Sequence, residues 1–260
     1  MPKQKTTDES TGRGASVIEN TVAILRCFSP DRQELGVTEI APQVGLHKSS
    51  VSRILASLER EGIVEQTASR RYRLGLGIIA IAGPLLADLD VRRVSYSAMQ
   101  ELTEETGETS ALMVWNGTES ITVEQIPSAH EIKHTSSLGS RYSTAYSASV
   151  QVFLAAEDAE RVRELIDDGS IVNVGSGIHS VEDYRARLAD VVDRGCAINY
   201  GETSADAVGI AAPIRDHRDE IVAAILVPAP KYRVDEVALE KLTKSCMKAA
   251  NQVTRRLGGA

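Results

Sequence analysis

The sequence predicts an α+β fold in two domains joined by a helix. A chain of 260 residues with 42% hydrophobic content is long enough to bury two separate cores. Apolar residues recur every three or four positions in most of the first 106 residues, which is typical of helices. They then form short runs between turns, which is typical of strands, with helices before, between and after them. This arrangement predicts a mainly antiparallel sheet in the C-terminal domain.

The N-terminal arm, residues 1–14, is polar and lacks an apolar signal core, so we expect it to be disordered. Residues 15–75 are predicted to form the first domain. Ser16 can cap a helix over 17–28, which would be the first helix of a three-helix core. The apolar face of that helix consists of Val17, Ile18, Val22, Ile24, Leu25 and Phe28.

The segment 38–74 predicts a winged helix-turn-helix. Thr38 can cap a helix over 38–44, and Gly45 can adopt the left-handed conformation that ends it. A second helix over 49–61 follows almost at once and packs one face inward. The apolar positions of that face are Val51, Ile54, Leu55 and Leu58.

The wing is predicted from an arginine-rich hairpin. Gly62 closes the second helix, and the runs 63–66 and 71–74 form paired strands around a four-residue turn. The hairpin's three arginines, Arg70, Arg71 and Arg73, suit contacts with phosphates or with the narrow minor groove. The hairpin therefore extends the predicted DNA-binding surface.

The second helix is narrow enough to enter a DNA major groove, which is about 12 Å wide, with its polar N-terminal end towards the base edges. The residues expected to contact DNA from this region are Thr38, His47, Lys48, Ser49, Ser50, Ser52 and Arg53. Lys48, a compact ammonium, suits a phosphate, whereas Arg53 can bind a guanine edge with two hydrogen bonds. The alternative is a helical hairpin with a solvated basic face.

Charge is distributed unevenly along the chain. Residues 1–75 hold eleven Lys and Arg against nine Asp and Glu, a net of +2, and the remainder holds 18 against 27, a net of −9. The basic part coincides with the predicted helix-turn-helix, and the acidic part is a separate module. The total of −7 argues against a protein that coats nucleic acid over its whole surface.

The run 76–90 predicts an apolar linker helix with a kink near Gly83 and Pro84. The uncharged stretch 74–87 is too short for a bilayer, which takes about 20 residues. An apolar helix between two domains needs a partner for its exposed side. A second copy of the chain is the natural partner.

Residues 91–260 are predicted to form the second domain. Its helices are expected over 91–106, 158–167, 181–194 and 236–257, with a further short helix after a glycine- and serine-rich loop. Its strands are expected over 109–115, 120–126, 131–135, 196–200, 207–214 and 221–227. Ser180 and Asp183 form a capping signature, and Gly195 can end the helix that they begin.

Two motifs resemble enzyme sites but lack the required setting. Residues 130–134 read HEIKH, a zinc-protease pattern that needs a helix so that both imidazoles reach one metal. Pro127 precedes this run, and its pattern is extended, which would separate the histidines by about 13 Å. The run GLGIIA, with Gly75, Gly77 and Ala80, resembles the glycine pattern of dinucleotide-binding sites. It follows a hairpin strand, however, and does not belong to a βαβ unit. Small residues for helix packing explain these glycines better.

The three cysteines, Cys27, Cys196 and Cys246, are widely spaced and form no CxxC pair. They suggest neither a disulfide framework nor a cysteine metal site, which fits a reducing cytoplasm. The sequence also lacks a GxSxG elbow, a Walker loop and a tight cluster of acids and histidines. We therefore expect no catalytic residues, no metal and no cofactor.

Several segments together resemble the IclR family of bacterial transcriptional regulators over nearly the full length of the chain. They read LHKSSVSRILASLEREGIVE, RYRLGLGI, ELTEETGETSAL, LGSRYS, RGCAINYGE, IAAPIRD and IVAAILV. Each is weak alone, and together they are specific. The resemblance implies a winged helix-turn-helix, a linker helix used in dimerisation and a GAF-like C-terminal domain that binds a small effector. It also implies dimers or tetramers that regulate catabolic operons, often for organic acids or aromatic compounds.

The resemblance assigns effector-binding positions to Ala148, Ser149, Asn199, Ala207, Gly209, Leu226 and Pro228. Members that bind very small oxo acids resemble one another in having an acid at the Asn199 position and a cysteine at the Gly209 position. They also have serines where Leu226 and Pro228 stand. Because these donors are absent here, we expect a roomier, more apolar site for a larger, aromatic carboxylate, received by N–H groups near 148–150 at a helix N-terminus. Alternatively, Leu226 and Pro228 simply fill the cavity.

These observations predict a homodimeric or tetrameric regulator in the cytoplasm, without enzyme activity and without a membrane partner. Its N-terminal domain would bind double-stranded operator DNA, and its C-terminal domain would bind a small organic acid that controls operator affinity. The alternative is an enzyme or metabolite-binding protein with an ancillary helix-turn-helix. Metal analysis and a DNA-binding assay would distinguish the two classes.

Overall fold

The computed structural model describes residues 9–88, 90–172 and 180–259, which form two compact units that divide after Asp88. The elements of the first unit are α1 (Glu9–Leu25), α2 (Val37–Gln43), α3 (Lys48–Arg60), β1 (Val64–Gln66), β2 (Tyr72–Leu74) and α4 (Gly77–Asp88). β1 and β2 pair antiparallel, with Glu65 opposite Arg73. The first unit is therefore the winged helix-turn-helix that the sequence predicts, with the linker helix α4 attached.

The first helix starts earlier than predicted. α1 begins at Glu9, so Ser16 lies inside the helix and does not cap it. No proline interrupts the backbone hydrogen-bond ladder between Glu9 and Leu25, so the helix can include part of the predicted arm. The remainder of that arm, residues 1–8, lies outside the described residues.

The start of α2 also differs from the prediction. Gly36 is the N-cap residue, and its N–H donates to the Glu39 carboxylate at 2.7 Å. This bond satisfies a backbone donor next to the first turn, as half of a capping box does. Thr38 therefore lies in the first turn of the helix and is not its cap.

The second unit is built on a sheet with α-helices on both faces. Its helices are α5 (Asp90–Thr106), α6 (Ala148–Leu154), α7 (Ala159–Asp167), α8 (Val181–Arg194) and α9 (Glu236–Arg256). Its strands are β3 (Ser110–Trp115), β4 (Ser120–Ile126), β5 (Arg141–Tyr142), β6 (Ala197–Tyr200), β7 (Ala207–Arg215) and β8 (Ile221–Pro230). Among the described residues the strand order is β5-β4-β3-β8-β7-β6, and all neighbours are antiparallel. The predicted α+β class is confirmed.

Two layers of helices enclose two cores. α5 and α9 pack on one face of the sheet, where Met99, Leu112, Ile225 and Val253 are buried. α6 packs on the other face, where Ala148 joins a second apolar cluster. α7 and α8 cover α6 in turn. The effector positions that the resemblance assigns belong to this second face.

The strand predicted over 131–135 is absent from the described residues, and that prediction was wrong. The outer edge of β4 is occupied instead by the chain just before β5. The Gly139 N–H donates to the Thr122 carbonyl at 2.8 Å, and the Thr122 N–H donates to the Ser140 carbonyl at 2.9 Å. Because these bonds satisfy the edge at Thr122, residues 131–135 cannot pair there.

Candidate DNA interface and effector site

α3 separates a buried face from an exposed polar end. Val51 and Leu55 are fully buried in the core of the first unit. On the opposite face and at the leading end, His47, Lys48, Ser49, Ser52 and Arg53 are exposed, and Ser50 is half-buried. The apolar period thus leaves the predicted contact residues available to DNA.

His47 is the N-cap residue of α3, and its side chain makes no cap hydrogen bond to any described group. Helix N-termini attract anions because their first N–H groups lack intrahelical partners. Thr38 lines one surface groove together with His47, Lys48 and Ser49. The structure therefore brings together predicted residues from the starts of two helices.

Arg70 and Arg71, the two wing arginines predicted as DNA-binding site residues, have different environments. Arg70 is exposed at the hairpin turn and has a left-handed φ of 58°. The Arg71 guanidinium instead forms an ion pair with Glu39 at 2.8 Å and donates to the Glu34 carbonyl at 2.8 Å. The Gly36 N–H and the Arg71 guanidinium lower the pKa of Glu39, so this pair is ionised at neutral pH. In this structure Arg71 holds the wing to α2, which the sequence did not indicate.

We expect Arg70→Ala to weaken binding to all DNA sequences alike, because a phosphate contact carries no base information. The plot of log affinity against log salt concentration should become less steep by about 1. Arg73→Ala is the matched control, since the Arg73 guanidinium is bound to Glu65 at 2.8 and 3.1 Å. Fluorescence anisotropy across a salt series measures both slopes. A changed ranking of DNA sequences in Arg70→Ala would contradict the assignment.

The predicted effector residues lie on one face of the sheet. Asn199, Gly209 and Pro228 stand opposite one another on β6, β7 and β8. Ala207 and Leu226 are each two residues from a member of this row, so they face the same side. A Cβ placed at Gly209 would lie 3.8 Å from the Ala148 Cβ and 3.7 Å from the Leu226 Cδ1.

The environment of these residues is mostly hydrocarbon. Ala148, Ser149, Asn199 and Leu226 are buried, whereas Ala207 and Pro228 are half-buried. The Asn199 amide is engaged by the following turn: its Nδ2 donates to the Thr203 Oγ1 at 2.6 Å, and its Oδ1 accepts from the Glu202 N–H at 2.9 Å. Asn199 therefore orders a turn in this structure, a role that its predicted place in the effector site did not suggest.

Sequence reasoning missed a charged group beside this face. Arg187 on α8 forms an ion pair with Glu202 at 2.5 Å and donates to the Gln151 Oε1 at 2.9 Å. Its guanidinium lies 5.4 Å from the centroid of the Tyr146 ring. The sequence signal for Arg187 is helical periodicity, because Arg187 directly precedes Leu188, a residue of the buried face of α8. The position of its partners could not be inferred from that face.

Two domain families match this chain and together cover most of it. The IclR helix-turn-helix domain matches residues 17–68, and the C-terminal domain of bacterial transcriptional regulators of the IclR type matches residues 84–255. The chain belongs to the IclR family. It is therefore a transcriptional regulator with a DNA-binding helix-turn-helix domain and an effector-binding C-terminal domain.

Individual relatives extend this match. The HTH-type transcriptional regulator KipR of Bacillus subtilis is 30% identical over 248 residues, covering 93% of this IclR-family chain and 96% of the relative. A crystal structure of a domain from a putative IclR-family regulator is 55% identical, covers 65% of this chain and 98% of that one, and has a TM-score of 0.63. An IclR homologue from Microbacterium hydrocarbonoxydans, complexed with 4-hydroxybenzoate, is 23% identical. It covers 93% of this chain and 98% of that one, with a TM-score of 0.77. This last likeness shows the shared fold.

Two cysteines of this IclR-family regulator are unsuited to nucleophilic chemistry. Cys196 and Cys246 are fully buried, and burial raises the pKa of both thiols, so neither is a thiolate at neutral pH. Within residues 9–88, 90–172 and 180–259, no three His, Cys, Asp or Glu side chains are grouped so that they could hold a metal ion. In the same residues, no helix has both the length and the hydropathy to cross a bilayer.

Proposed function

We propose that this regulator binds operator DNA through the N-terminal end of α3 as a homodimer or tetramer, and that an aromatic carboxylate controls its affinity. The proposal includes regulation of a catabolic operon from the cytoplasm, where the DNA lies. It divides the chain into an arm (1–14), a DNA-binding domain (15–75), a linker (76–90) and an effector domain (91–260). The observation that carries the DNA part is the exposed polar end of α3 opposite its buried apolar face.

The aromatic class of the effector is supported by the chemistry of the second sheet face. Ala148 and Leu226 converge there on Gly209, which has no side chain, so this part of the face is lined with hydrocarbon. Apolar walls with a few polar groups suit a ring better than a very small, strongly hydrated oxo acid. The 4-hydroxybenzoate complex of the Microbacterium homologue supports the same class.

Calorimetric titration of the full chain tests the effector class. We expect 4-hydroxybenzoate and benzoate to bind more tightly than glyoxylate and pyruvate. Tighter binding of the oxo acids would contradict the proposal and would favour the alternative that Leu226 and Pro228 fill the cavity. Anisotropy with DNA from upstream of its own gene, with and without 4-hydroxybenzoate, tests whether the effector changes DNA affinity.

The oligomeric state is proposed from aliphatic side chains that remain exposed on α1 and α4. On and next to α4, Leu76, Ile79, Ile81 and Leu85 are 74%, 59%, 72% and 66% exposed. Val17 and Ile18 on α1 were predicted to face the core, but they too are exposed. Exposed apolar residues concentrated on a connecting helix are typical of a protein interface. A second copy of this chain fits, because operator-binding helix-turn-helix proteins act as symmetric pairs.

We expect the double substitution Ile81→Glu and Leu85→Glu to dissociate the oligomer, because these two exposed residues are one helical turn apart on one face of α4 and the change places four charges in the seam of a dimer. Light scattering coupled to gel filtration should show the mass falling to that of one chain. The control is Val192→Glu with Val237→Glu, two exposed aliphatic residues of the second unit, which should leave the mass unchanged. An unchanged mass in the folded α4 variant would contradict the proposed interface.

A further inference from the structure

One guanidinium ties three elements together beside the proposed effector site. Arg187 on α8 binds both carboxylate oxygens of Glu202, at 2.6 and 2.5 Å, in the turn between β6 and β7. Its Nε donates to the Gln151 Oε1 on α6 at 2.9 Å, and its Nη2 donates to the Ile198 carbonyl at 3.4 Å. The Arg187–Glu202 pair therefore joins α8, α6 and β6.

This pair connects to both walls of the effector site. The Glu202 N–H donates to the Asn199 amide, and the Asn199 Cβ lies 4.0 Å from a Cβ placed at Gly209. Gln151 lies one helical turn after Ala148, whose Cβ is 3.8 Å from the same point. A change at the Arg187–Glu202 pair would therefore reach the sheet wall through Asn199 and the helix wall through Gln151.

In this pair, Arg187 is a fixed anion receptor and Glu202 is a partner that another carboxylate can replace. The side chains of Arg187 and Glu202 are 27% and 32% exposed, so a solute can reach them. Behind the guanidinium, Gln151 and Tyr146 are almost fully buried, and the Gln151 Nε2 donates to the Tyr146 carbonyl at 2.9 Å. The planar fork of an arginine matches any carboxylate with two parallel hydrogen bonds. Glu202 lies in an exposed turn and can move away from Arg187.

We propose that the carboxylate of the effector binds Arg187 by displacing the carboxylate of Glu202. This inference rests on the proposed function and names the charge receptor of the same site. Two charge-assisted hydrogen bonds break and two form, no proton moves, and Glu202 passes into water. The turn 201–206 loses its tie to α8, which loosens the hold on Asn199. By contrast, α6 has only seven residues and offers a partial backbone charge at its N-terminus.

Glu202→Gln tests this proposal, because the substitution is expected to strengthen effector binding. It removes the competing charge and one of the two acceptor oxygens that bind Arg187, but it keeps the size of the side chain. We expect 4-hydroxybenzoate to bind about tenfold more tightly to Glu202→Gln than to wild type, and about tenfold or more weakly to Arg187→Gln. The neutral analogue 4-hydroxybenzamide should not gain affinity in Glu202→Gln. Calorimetry at constant ionic strength measures each affinity, and circular dichroism confirms folding.

The pair of Arg163 and Glu182 supplies the matched control. It also joins α8 to another helix, at 3.3 Å, and both side chains are more than half exposed. Glu182→Gln and Arg163→Gln should leave 4-hydroxybenzoate binding unchanged. Sodium acetate is a second probe, since it presents the carboxylate without a ring, and it should raise the melting temperature of Glu202→Gln more than that of wild type or Arg187→Gln.

The outcomes separate this inference from the proposed function. If wild type, Glu202→Gln and Arg187→Gln bind 4-hydroxybenzoate equally, the aromatic effector stands and the role of Arg187 is overturned. If no aromatic acid binds but acetate selectively stabilises Glu202→Gln, the aromatic class fails and Arg187 remains the carboxylate receptor. If Glu202→Gln weakens anion binding or neither probe acts on it, the pair is purely structural and the inference is overturned.

Discussion

Replacing Arg53 with alanine is expected to weaken binding to the preferred DNA by about 1–3 kcal/mol and to relax the preference at one base pair. Arg53 is exposed on α3, on the side opposite the buried Val51 and Leu55. A guanidinium there can donate two hydrogen bonds to a guanine edge, and no other base offers the same pair of acceptors in the major groove. Lysine at this position should restore little, because an ammonium lacks the planar fork.

The measurement is anisotropy on DNA from upstream of its own gene and on single-base variants of the bound site. Arg60→Ala is the control, because it removes the same charge from the last turn of α3, where the Arg60 guanidinium donates to the Ser57 Oγ at 3.2 Å. We expect the control to keep the sequence preference. If Arg53→Ala weakened every DNA sequence equally, Arg53 would be a phosphate contact and the base-reading role would be wrong.

Gly75→Ala is expected to destabilise the winged helix-turn-helix by about 1–3 kcal/mol, because it overpacks a close contact between two backbone segments. A Cβ at Gly75 would lie 2.3 Å from the Gly62 carbonyl oxygen, and one at Gly77 would lie 2.6 Å from the same atom. The Gly62 carbonyl also accepts the Gly77 N–H at 2.9 Å, so it cannot move away without losing that bond. DNA binding should weaken with stability, since this contact joins the wing to the end of α3.

Gly83→Ala on α4 is the matched control, and it should change stability far less than Gly75→Ala does. Apart from its chain neighbours and the nearby backbone of its own helix, a Cβ there would meet no described atom within 4 Å. The preference of a helix for alanine over glycine, roughly 0.5–1 kcal/mol, is opposed by the crowding of a Cβ before Pro84. Urea unfolding of the full chain, followed by circular dichroism, measures both changes. Equal stability of Gly75→Ala and wild type would show that the backbone contact tolerates a side chain.

The close approach at Gly62 also explains the GLGIIA motif. From the sequence, its resemblance to a dinucleotide fingerprint could be set aside only because a hairpin strand precedes it. The sequence attributed these glycines to helix packing. In the structure, Gly75 and Gly77 instead contact the backbone at the end of α3.

Elements with local signals were predicted well. α8 has its predicted bounds because Ser180 accepts the Asp183 N–H at 3.0 Å and Gly195 adopts a left-handed φ of 71°. The wing was predicted for the same kind of reason, since its turn and strands are adjacent in sequence. The prediction of a strand over 131–135 was wrong because two segments compete for one edge of the sheet. A local sequence pattern does not show which of them pairs there.

By itself, the sequence determined the α+β class, the winged helix-turn-helix, the exposed polar end of α3 and the membership of the chain in its family. Periodicity, capping residues and turn glycines act over a few positions, so they can be read along the chain. The tertiary structure alone decided that Arg71 pairs with Glu39 and that Arg187 pairs with Glu202, while Arg70 stays exposed. The physical reason is that an ion pair depends on the distance between two side chains in space, and that distance is set by how separate elements pack.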